Sequence, residues 1–409
     1  MDGDGVGLGD LLAAAESAPP MESVEVVARN LEKRFGAVEV SFLLVDLVGE
    51  QVVRLTSTGR DGCDRERVGL RGSAYEEVLR TQRPWRERGD DGVRVVLPVT
   101  NRGDCVGVLE LTVPTLDEET LAQLGEAAHA LAYIMVTDRR FTDLYHVGRR
   151  TTPMSLAAEI QHQLLPSASC CEAARFTVAG ALVPADEIGG DTYDYALDRE
   201  TLHLSVTDAV GHHVDSALTA TLLVGALRGA RRAGCDLAEQ AQRANQALLD
   251  HGRGALATGL LLRVDLGGEG IELVNAGHPA PLRLRDGAVE QLKLEVDLLF
   301  GVSAERVYRV QRLDLCPGDR LVLLTDGMVE RNAASADLPA LLRATADLHP
   351  REVVRALTGA VRDACRDRLQ DDATVLCLDW HGTGYTDRQA DTGADPDTAS
   401  CNRQRNANH

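Results

Sequence analysis

The sequence predicts an α+β protein with two folded domains followed by a polar tail. Three observations support this prediction. The chain has 409 residues, enough for two or three domains of roughly 100–200 residues each. Runs with strand-like alternation of apolar residues occur in both halves, separated by segments with helical spacing. Beyond Trp380 the sequence has almost no apolar residues.

The first predicted domain is a small α+β unit at residues 21–137, which follows a flexible leader at residues 1–20. Its elements in order are a helix at 21–34, strands at 38–48 and 51–57, a helix at 73–81, strands at 93–99 and 105–113, and a long helix from residue 117. This order alternates helices with two hairpins, so the helices can cover one antiparallel sheet.

Residues 138–166 are predicted to form a helical linker. Its second helix reads SLAAEIQHQLL, in which Leu156, Ile160 and Leu164 recur at i, i+4 and i+8. Such a spacing produces an apolar stripe that needs a partner. Two interpretations stay open: the stripe packs on the following domain, or it pairs two copies of the chain in a homodimer that transmits a signal.

The largest predicted domain spans residues 167–380. It combines many short strands with two central helices, at about 213–233 and 237–251, and two later helices within 337–369. This composition predicts antiparallel sheets packed together with helices on the outside. The tail at 381–409 is too polar to bury a core and is predicted to be disordered.

Composition excludes several classes of function. The net charge of −20 disfavours nucleic acid and anionic membranes as partners. No apolar run approaches the roughly 20 residues of a membrane helix. The nine cysteines are scattered without a CxxC pair, which favours a reducing cytoplasm. No GxxxxGK[ST] phosphate loop is present.

Acidic residues at four predicted strand ends are the candidates for catalysis. They are Asp191 after Gly190, Asp208 before Ala209, Asp326 before Gly327, and the pair Asp371–Asp372 before Ala373. A single acid at such a position is usually a solvated cap. If all of them converge, however, their charges require cations, and oxygen-only ligands select Mg²⁺ or Mn²⁺. The pattern therefore predicts a two-metal hydrolytic centre.

Five segments in order resemble the motifs of one enzyme family. EIGGDTYDY, LSVTDAVGHHVDSALTA, VNAGHPAPL, LVLLTDGMVE and DDATVLCL are similar to those of the SpoIIE-like, RsbU-type branch of the PPM metal-dependent serine/threonine protein phosphatases, over roughly residues 150–380. Segment 21–137, through VRVVLPVTNRGDCVGVLELTV, resembles a GAF sensor domain. The resemblances imply a GAF-like α/β sensor domain followed by a PPM-type αββα sandwich.

The phosphatase resemblance also implies roles for individual residues. Asp208 would bridge two Mn²⁺ or Mg²⁺ ions, Asp191 and the carbonyl of Ala209 would be further ligands, and Asp326 and Asp371, with Asp372 beside it, would belong to the second ion. Asp191, Asp208, Asp326 and Asp371 would be the catalytic residues. The implied substrate is a phosphoserine or phosphothreonine protein, typically a STAS-type anti-anti-sigma protein, attacked directly by water without a phosphoenzyme.

One departure from the family pattern concerns the loop Gly211–His212–His213, where the family often has a second glycine in the last position. His213 could contact the substrate phosphate or donate a proton. His278 is expected to shape a turn before Pro279.

Two other functions are alternatives. A catalytically weak or inactive relative could bind and sequester a partner, although all four acidic positions are filled. A two-metal nuclease or cyclase would share the carboxylates. The chain lacks the basic surface and the phosphate loop that those functions need.

Overall fold

The protein is described from a computed structural model, which covers residues 8–55, 66–151, 153–185, 189–268, 270–305, 307–329, 333, 335–366 and 369–384. Its contacts define two compact units that meet in sequence between Pro153 and Met154. This division falls inside the predicted linker. Within the described residues, no helix combines the length and apolar character needed to cross a bilayer.

The first unit is one antiparallel sheet with helices on both faces. Its helices are α1 (Leu8–Glu16), α2 (Ser23–Phe35), α3 (Ala74–Thr81), α4 (Glu118–Asp138) and α5 (Leu144–Gly148). Its strands are β1 (Val38–Val45), β2 (Gln51–Leu55), β3 (Arg67–Gly69), β4 (Trp85–Arg88), β5 (Val93–Asn101) and β6 (Asp104–Val113), in the spatial order β3-β2-β1-β6-β5-β4. The predicted helices and hairpins occur in the predicted order, and α1, β3 and β4 are additional elements.

The start of the chain differs from the expected flexible leader. Residues Leu8–Glu16 form α1, and Leu11 and Ala15 are buried in the core beneath α2 and α4. They lie one helical turn apart, so one face of a short helix supplies both contacts. Residues 1–7 of the predicted leader and 385–409 of the predicted disordered tail lie outside the described residues.

The second unit contains two sheets and flanking helices. Its helices are α6 (Leu156–Leu164), α7 (His213–Arg232), α8 (Leu237–His251), α9 (Leu338–Ala344) and α10 (Pro350–Cys365). Its strands are β7 (Cys170–Glu172), β8 (Phe176–Val183), β9 (Asp191–Leu197), β10 (Thr201–Ala209), β11 (Ala257–Asp265), β12 (Gly270–Ala276), β13 (Leu282–Arg285), β14 (Ala288–Gln291), β15 (Gln311–Asp314), β16 (Arg320–Leu324) and β17 (Ala373–Trp380). A 3₁₀ turn, Asp326–Met328, follows β16.

The two sheets pack face to face and form an αββα sandwich, as predicted. The first sheet has the order β15-β12-β11-β10-β9 and the second β14-β13-β16-β17-β8-β7. The core between them includes Phe176, Tyr193, Leu262, Leu323 and Trp380. Helices α7 and α8 cover the outer face of the first sheet, and α9 and α10 cover that of the second. Central strands are therefore buried on both faces, which explains apolar runs such as that of β17.

Helix α6 packs on its own unit, but not through the whole predicted stripe. Ala157, Ala158 and Gln161 are its buried residues, whereas Leu156 is 64% exposed. Leu164 packs beside the core under α7. Packing on the following domain is thus observed, and dimerisation through this helix stays a prediction.

The spacing between the sheets generates a first testable prediction. A Cβ on Gly180 of β8 would lie 2.5 Å from the Tyr193 ring on the opposite sheet, and Tyr193 donates a hydrogen bond of 3.1 Å to the Gly180 carbonyl. We expect Gly180→Ala to lower the free energy of unfolding by about 1–3 kcal/mol through overpacking, measured by urea denaturation.

Gly225→Ala is the matched control, because a Cβ there meets nothing within 4 Å. Gly225 lies inside α7, so this substitution should stabilise the protein by about 0.5–1 kcal/mol. Equal effects of the two substitutions would contradict the inferred tight spacing of the sheets.

Candidate active site

Two of the predicted acids are brought together by one hairpin. Strands β9 and β10 pair antiparallel, and their register places Asp208 directly opposite Asp191. Residues opposite each other in such a pair point to the same face of the sheet and lie close together. The hairpin therefore fixes these two carboxylates side by side at one end of the first sheet.

Two glycines let the backbone close tightly around this end of the sheets. A Cβ on Gly190 would lie 2.5 Å from the carbonyl oxygen of Ala209, whose own amide donates a 3.2 Å hydrogen bond to the Gly190 carbonyl. A Cβ on Gly327 would collide with the carbonyl oxygen of Asp372. Any larger residue would push the acid-bearing segments apart.

Asp191 is a deeply buried carboxylate with like charges around it. It is 2% exposed. Burial, then the charges of Asp208 and Asp372, raise its pKa well above the usual value. A hydrogen bond of 2.7 Å from the Thr325 hydroxyl to Oδ2 partly opposes this. The environment of Asp191 is thus costly for a negative charge in the absence of a cation.

Asp372 is also buried, but its two oxygens already accept hydrogen bonds. Oδ2 accepts from Nε2 of Gln161 at 2.6 Å, and Oδ1 accepts from the amide of Ala185 at 2.8 Å. Burial is the main cause that raises the pKa of Asp372 to about 6. This arrangement favours Asp371 as the ligand of the pair, with Asp372 as a buried support.

Asp371 and Asp326 form the outer part of the acidic group. Asp326 begins the 3₁₀ turn after β16 and is exposed. Asp371 is half-buried, and its Oδ1 accepts a 2.8 Å hydrogen bond from the amide of Asp372. Burial and then the charge of Asp326 raise the pKa of Asp371. The end of β16 and the start of β17 therefore place these two acids within electrostatic reach of each other.

The acids interact in successive pairs, and their side chains are not already arranged around one common point. Within the residues that the structure describes, no group of three or more His, Cys, Asp or Glu side chains is already arranged to hold a metal ion. Electrostatic interactions instead connect Asp208 to Asp191, Asp191 to Asp372, Asp372 to Asp371, and Asp371 to Asp326. The donors are all oxygens and repel one another, so the set fits hard divalent cations chemically.

Gln161 of α6 is a site residue that sequence reasoning missed. It is 0% exposed, and its Nε2 donates to the backbone carbonyl of Asp191 at 2.8 Å as well as to Asp372. The signal in the sequence is a polar residue on the same helix face as Ala157 and Ala158, which a pattern of acidic residues does not include. Helix α6 thus contacts the acidic group directly.

The loop after Asp208 contains a non-glycine residue, His213, in a backbone conformation that favours glycine. His213 has φ of +64°, in the left-handed region, which costs a non-glycine residue about 1–2 kcal/mol. It begins α7, and its ring meets that of His212 edge to face with centroids 4.5 Å apart. The departure from the family pattern therefore leaves a strained residue beside the acids in the chain.

The turn at His278 is held mainly by a different side chain. Asn275 accepts from the amide of His278 at 2.8 Å and donates to its carbonyl at 2.9 Å. The His278 ring is buried, and its Nδ1 lies 2.8 Å from the hydroxyl of Thr258, the residue opposite Asp208 in the β10–β11 register. Burial lowers the pKa of His278 to about 4, so the ring is neutral at pH 7.

The sandwich and its acidic strand ends define the class of this unit. Residues 198–381 match the family model of stage II sporulation protein E (SpoIIE). Among curated proteins, the chain is similar to the phosphoserine phosphatase RsbU of Bacillus subtilis (strain 168), with 22% identity over 233 residues, or 55% of this chain and 69% of RsbU.

A second relative and a solved structure extend the comparison. The phosphoserine phosphatase RsbP of the same organism is 25% identical over 156 residues, which are 37% of this chain and 39% of RsbP. The RsbU and RsbW domains of a Mycobacterium tuberculosis protein give a TM-score of 0.46 at 24% identity, covering 53% of this chain and 62% of that one. The chain thus spans less than two thirds of both.

The raised pKa of Asp372 predicts a pH dependence of stability. Folding raises the pKa of this carboxyl from 3.8 to about 6. Its contribution to the stability of the folded state is fully present below the pKa of the unfolded state, and it is lost as pH rises through the pKa of the folded state. In chelator, we expect the free energy of unfolding to fall between about pH 4 and 6, with up to about 3 kcal/mol due to Asp372.

The measurement is denaturant unfolding across this pH range for the wild type and for Asp372→Asn, which has no titrating group at this position. Asp191 and Asp371 act in the same direction, so the difference between the two proteins isolates Asp372. Parallel curves for the two proteins would contradict the prediction.

Proposed function

We propose that the second unit is a metal-dependent phosphoserine or phosphothreonine protein phosphatase. The observation that carries the proposal is the pairing of Asp208 with Asp191 in one hairpin, with Asp371, Asp372 and Asp326 continuing the acidic group on the second sheet. The match to the SpoIIE family and the similarity to two phosphoserine phosphatases support the reaction type.

Specific residues would hold two Mn²⁺ or Mg²⁺ ions. Asp191, Asp208 and the Ala209 carbonyl would contribute from the first sheet, and Asp326 and Asp371 from the segments at the end of the second. When bound, such ions neutralise charge on a phosphoryl group and lower the pKa of a coordinated water. The chain itself supplies the alignment: a fixed hairpin register and two glycines that keep the segments close.

His213 is a candidate for contact with the substrate. It lies at the start of α7, in the loop that follows the Asp208–Ala209 pair, and its backbone is held in the left-handed region. Strained residues often occur at functional sites. We propose that its ring donates a hydrogen bond to an oxygen of the substrate phosphate.

The proposed pathway is partner switching, as in the SpoIIE-like family. The substrate would be a phosphorylated STAS-type anti-anti-sigma protein, and the first unit would be a GAF-like sensor that regulates the phosphatase in the cytoplasm. The contact of Gln161 with the acidic group supports a regulatory route through α6. The exposed Leu156 supports a homodimer through the linker helices.

A second candidate function is a catalytically weak or inactive protein that senses a ligand and sequesters a partner. The specific observation in its favour is that no described group of three potential ligands is arranged for a metal ion. The two functions differ in turnover, which a direct assay measures.

The phosphatase proposal predicts metal-dependent release of phosphate. The purified chain should hydrolyse a phosphoserine protein with Mn²⁺ and not in chelator. Asp208→Asn should lower kcat by more than about 100-fold, since loss of a ligand should exceed the 10–100-fold effect of residues that only support ligands. Asp250→Asn, an exposed acid on α8, is the control and should keep full activity. Equal activity in chelator would eliminate this function.

The substrate proposal predicts that the inactive variant retains its substrate. Asp208→Asn keeps the size of the side chain and removes one charge, so a phosphoprotein that docks on the surface around the site should stay bound and keep its phosphate. Pull-down with this variant should enrich a phosphorylated STAS protein over the same protein lacking phosphate, measured by mass spectrometry. Enrichment of other phosphoproteins alone would refute the STAS assignment.

A further inference from the structure

Thr325 connects the two sheets at their acidic end. We propose that Thr325 is a positioning residue, whose hydroxyl orients the Asp191 carboxylate for cation binding. The inference rests on the proposed function, because it concerns the same site. Thr325 precedes Asp326 at the end of β16 and is fully buried, so it is placed within the protein rather than at the surface of the site.

The hydrogen bonds of Thr325 have only one consistent direction. Its Oγ1 lies 2.9 Å from the amide nitrogen of Thr374 and 2.7 Å from Oδ2 of Asp191. An amide can only donate, and an ionised carboxylate, the form that binds a cation, can only accept. The Thr374 amide therefore donates to Oγ1, and the Thr325 proton is directed to Asp191.

The position of Oγ1 is itself fixed by backbone pairing. The amide of Thr325 donates to the carbonyl of Thr374 at 3.1 Å. The amide of Thr374 in turn donates to the hydroxyl of Thr325. Thr374 lies in β17, two residues after Asp372. One threonine thus links the ends of three acid-bearing segments: β9 with Asp191, the turn with Asp326, and the start of β17.

The hydrogen bond from Thr325 opposes the electrostatic repulsion that Asp208 and Asp372 exert on Asp191. The charges of Asp208 and Asp372 repel its carboxylate, and rotation about the side-chain bonds would relieve the repulsion. A charge-assisted hydrogen bond to one oxygen holds the carboxylate in a single orientation. Fixed orientation of ligands by such outer contacts typically changes metal affinity by about 10–100-fold.

The test compares two substitutions that separate the hydroxyl from the methyl group. Thr325→Val keeps the shape and removes the hydrogen bond, whereas Thr325→Ser keeps the hydroxyl. Binding of Mn²⁺ alone, by isothermal titration calorimetry on the full chain, should weaken by about 10–100-fold in Thr325→Val and by no more than about threefold in Thr325→Ser. Phosphate release is measured in parallel and should follow the same order.

Thr358→Val is the matched control. Thr358 is also buried, but its hydroxyl donates to the Val354 carbonyl within α10. Its loss should leave Mn²⁺ binding unchanged. A second test uses Asp191→Asn: in that background Thr325→Val should have no further effect on Mn²⁺ binding, because the oriented carboxylate is already absent.

The outcomes distinguish this inference from the proposed function. If the wild type binds Mn²⁺ and releases phosphate while Thr325→Val binds it equally well, the inference is wrong and the function stands. Equal weakening by Val and Ser, or a full additional loss in the Asp191→Asn background, would show a structural role and overturn it too. If the wild type neither binds Mn²⁺ nor releases phosphate, both proposals fail.

Discussion

The structure of the second unit depends on keeping carboxylates close together in a buried place. Asp191 and Asp208 oppose each other across one hairpin, and Asp372 approaches from the other sheet. Burial of a charge costs several kcal/mol, so such a group persists only if neighbouring elements hold it. The apolar core between the sheets supplies the rigid support, and Thr325, Gln161 and the Ala185 amide supply the hydrogen bonds.

Those hydrogen bonds explain how one end of a sandwich can carry several acids with different roles. Asp372 has both oxygens engaged and acts as an internal support. Asp191 accepts a hydrogen bond from the Thr325 hydroxyl, and the charges of Asp208 and Asp372 act on it. Asp326 is exposed at the start of a turn. The three environments run from the interior to the surface, so the acidic group reaches from the core to the position where a phosphate could approach.

Much of this could be predicted from the sequence, because strand ends and small residues mark where acids can gather. The hairpin that pairs Asp191 with Asp208 follows from two strand-like runs separated by a short turn. Gln161 was not predictable in this way: its bond to Asp372 joins residues 211 positions apart, and no local pattern records such a contact. The burial of α1 against the core was not predictable, because its two buried residues, one turn apart, lie in a Gly- and Asp-rich start. Short strands such as β3 and β7 have too few residues to show alternation.

Helix α6 and Thr325 support the acidic group in two different ways. Gln161 donates through one amide nitrogen to a backbone carbonyl of β9 and to a side chain beside β17, so α6 contacts acid-bearing segments of both sheets. Thr325 differs, because its hydroxyl bonds only to Asp191 of β9 and to the Thr374 amide of β17 among the described residues. The helix therefore links an acid-bearing segment of one sheet to one of the other, whereas the threonine orients a single carboxylate. The core between the sheets does not include α6, so the contacts of Gln161 support the site from outside that core, whereas those of Thr325 come from the strands themselves.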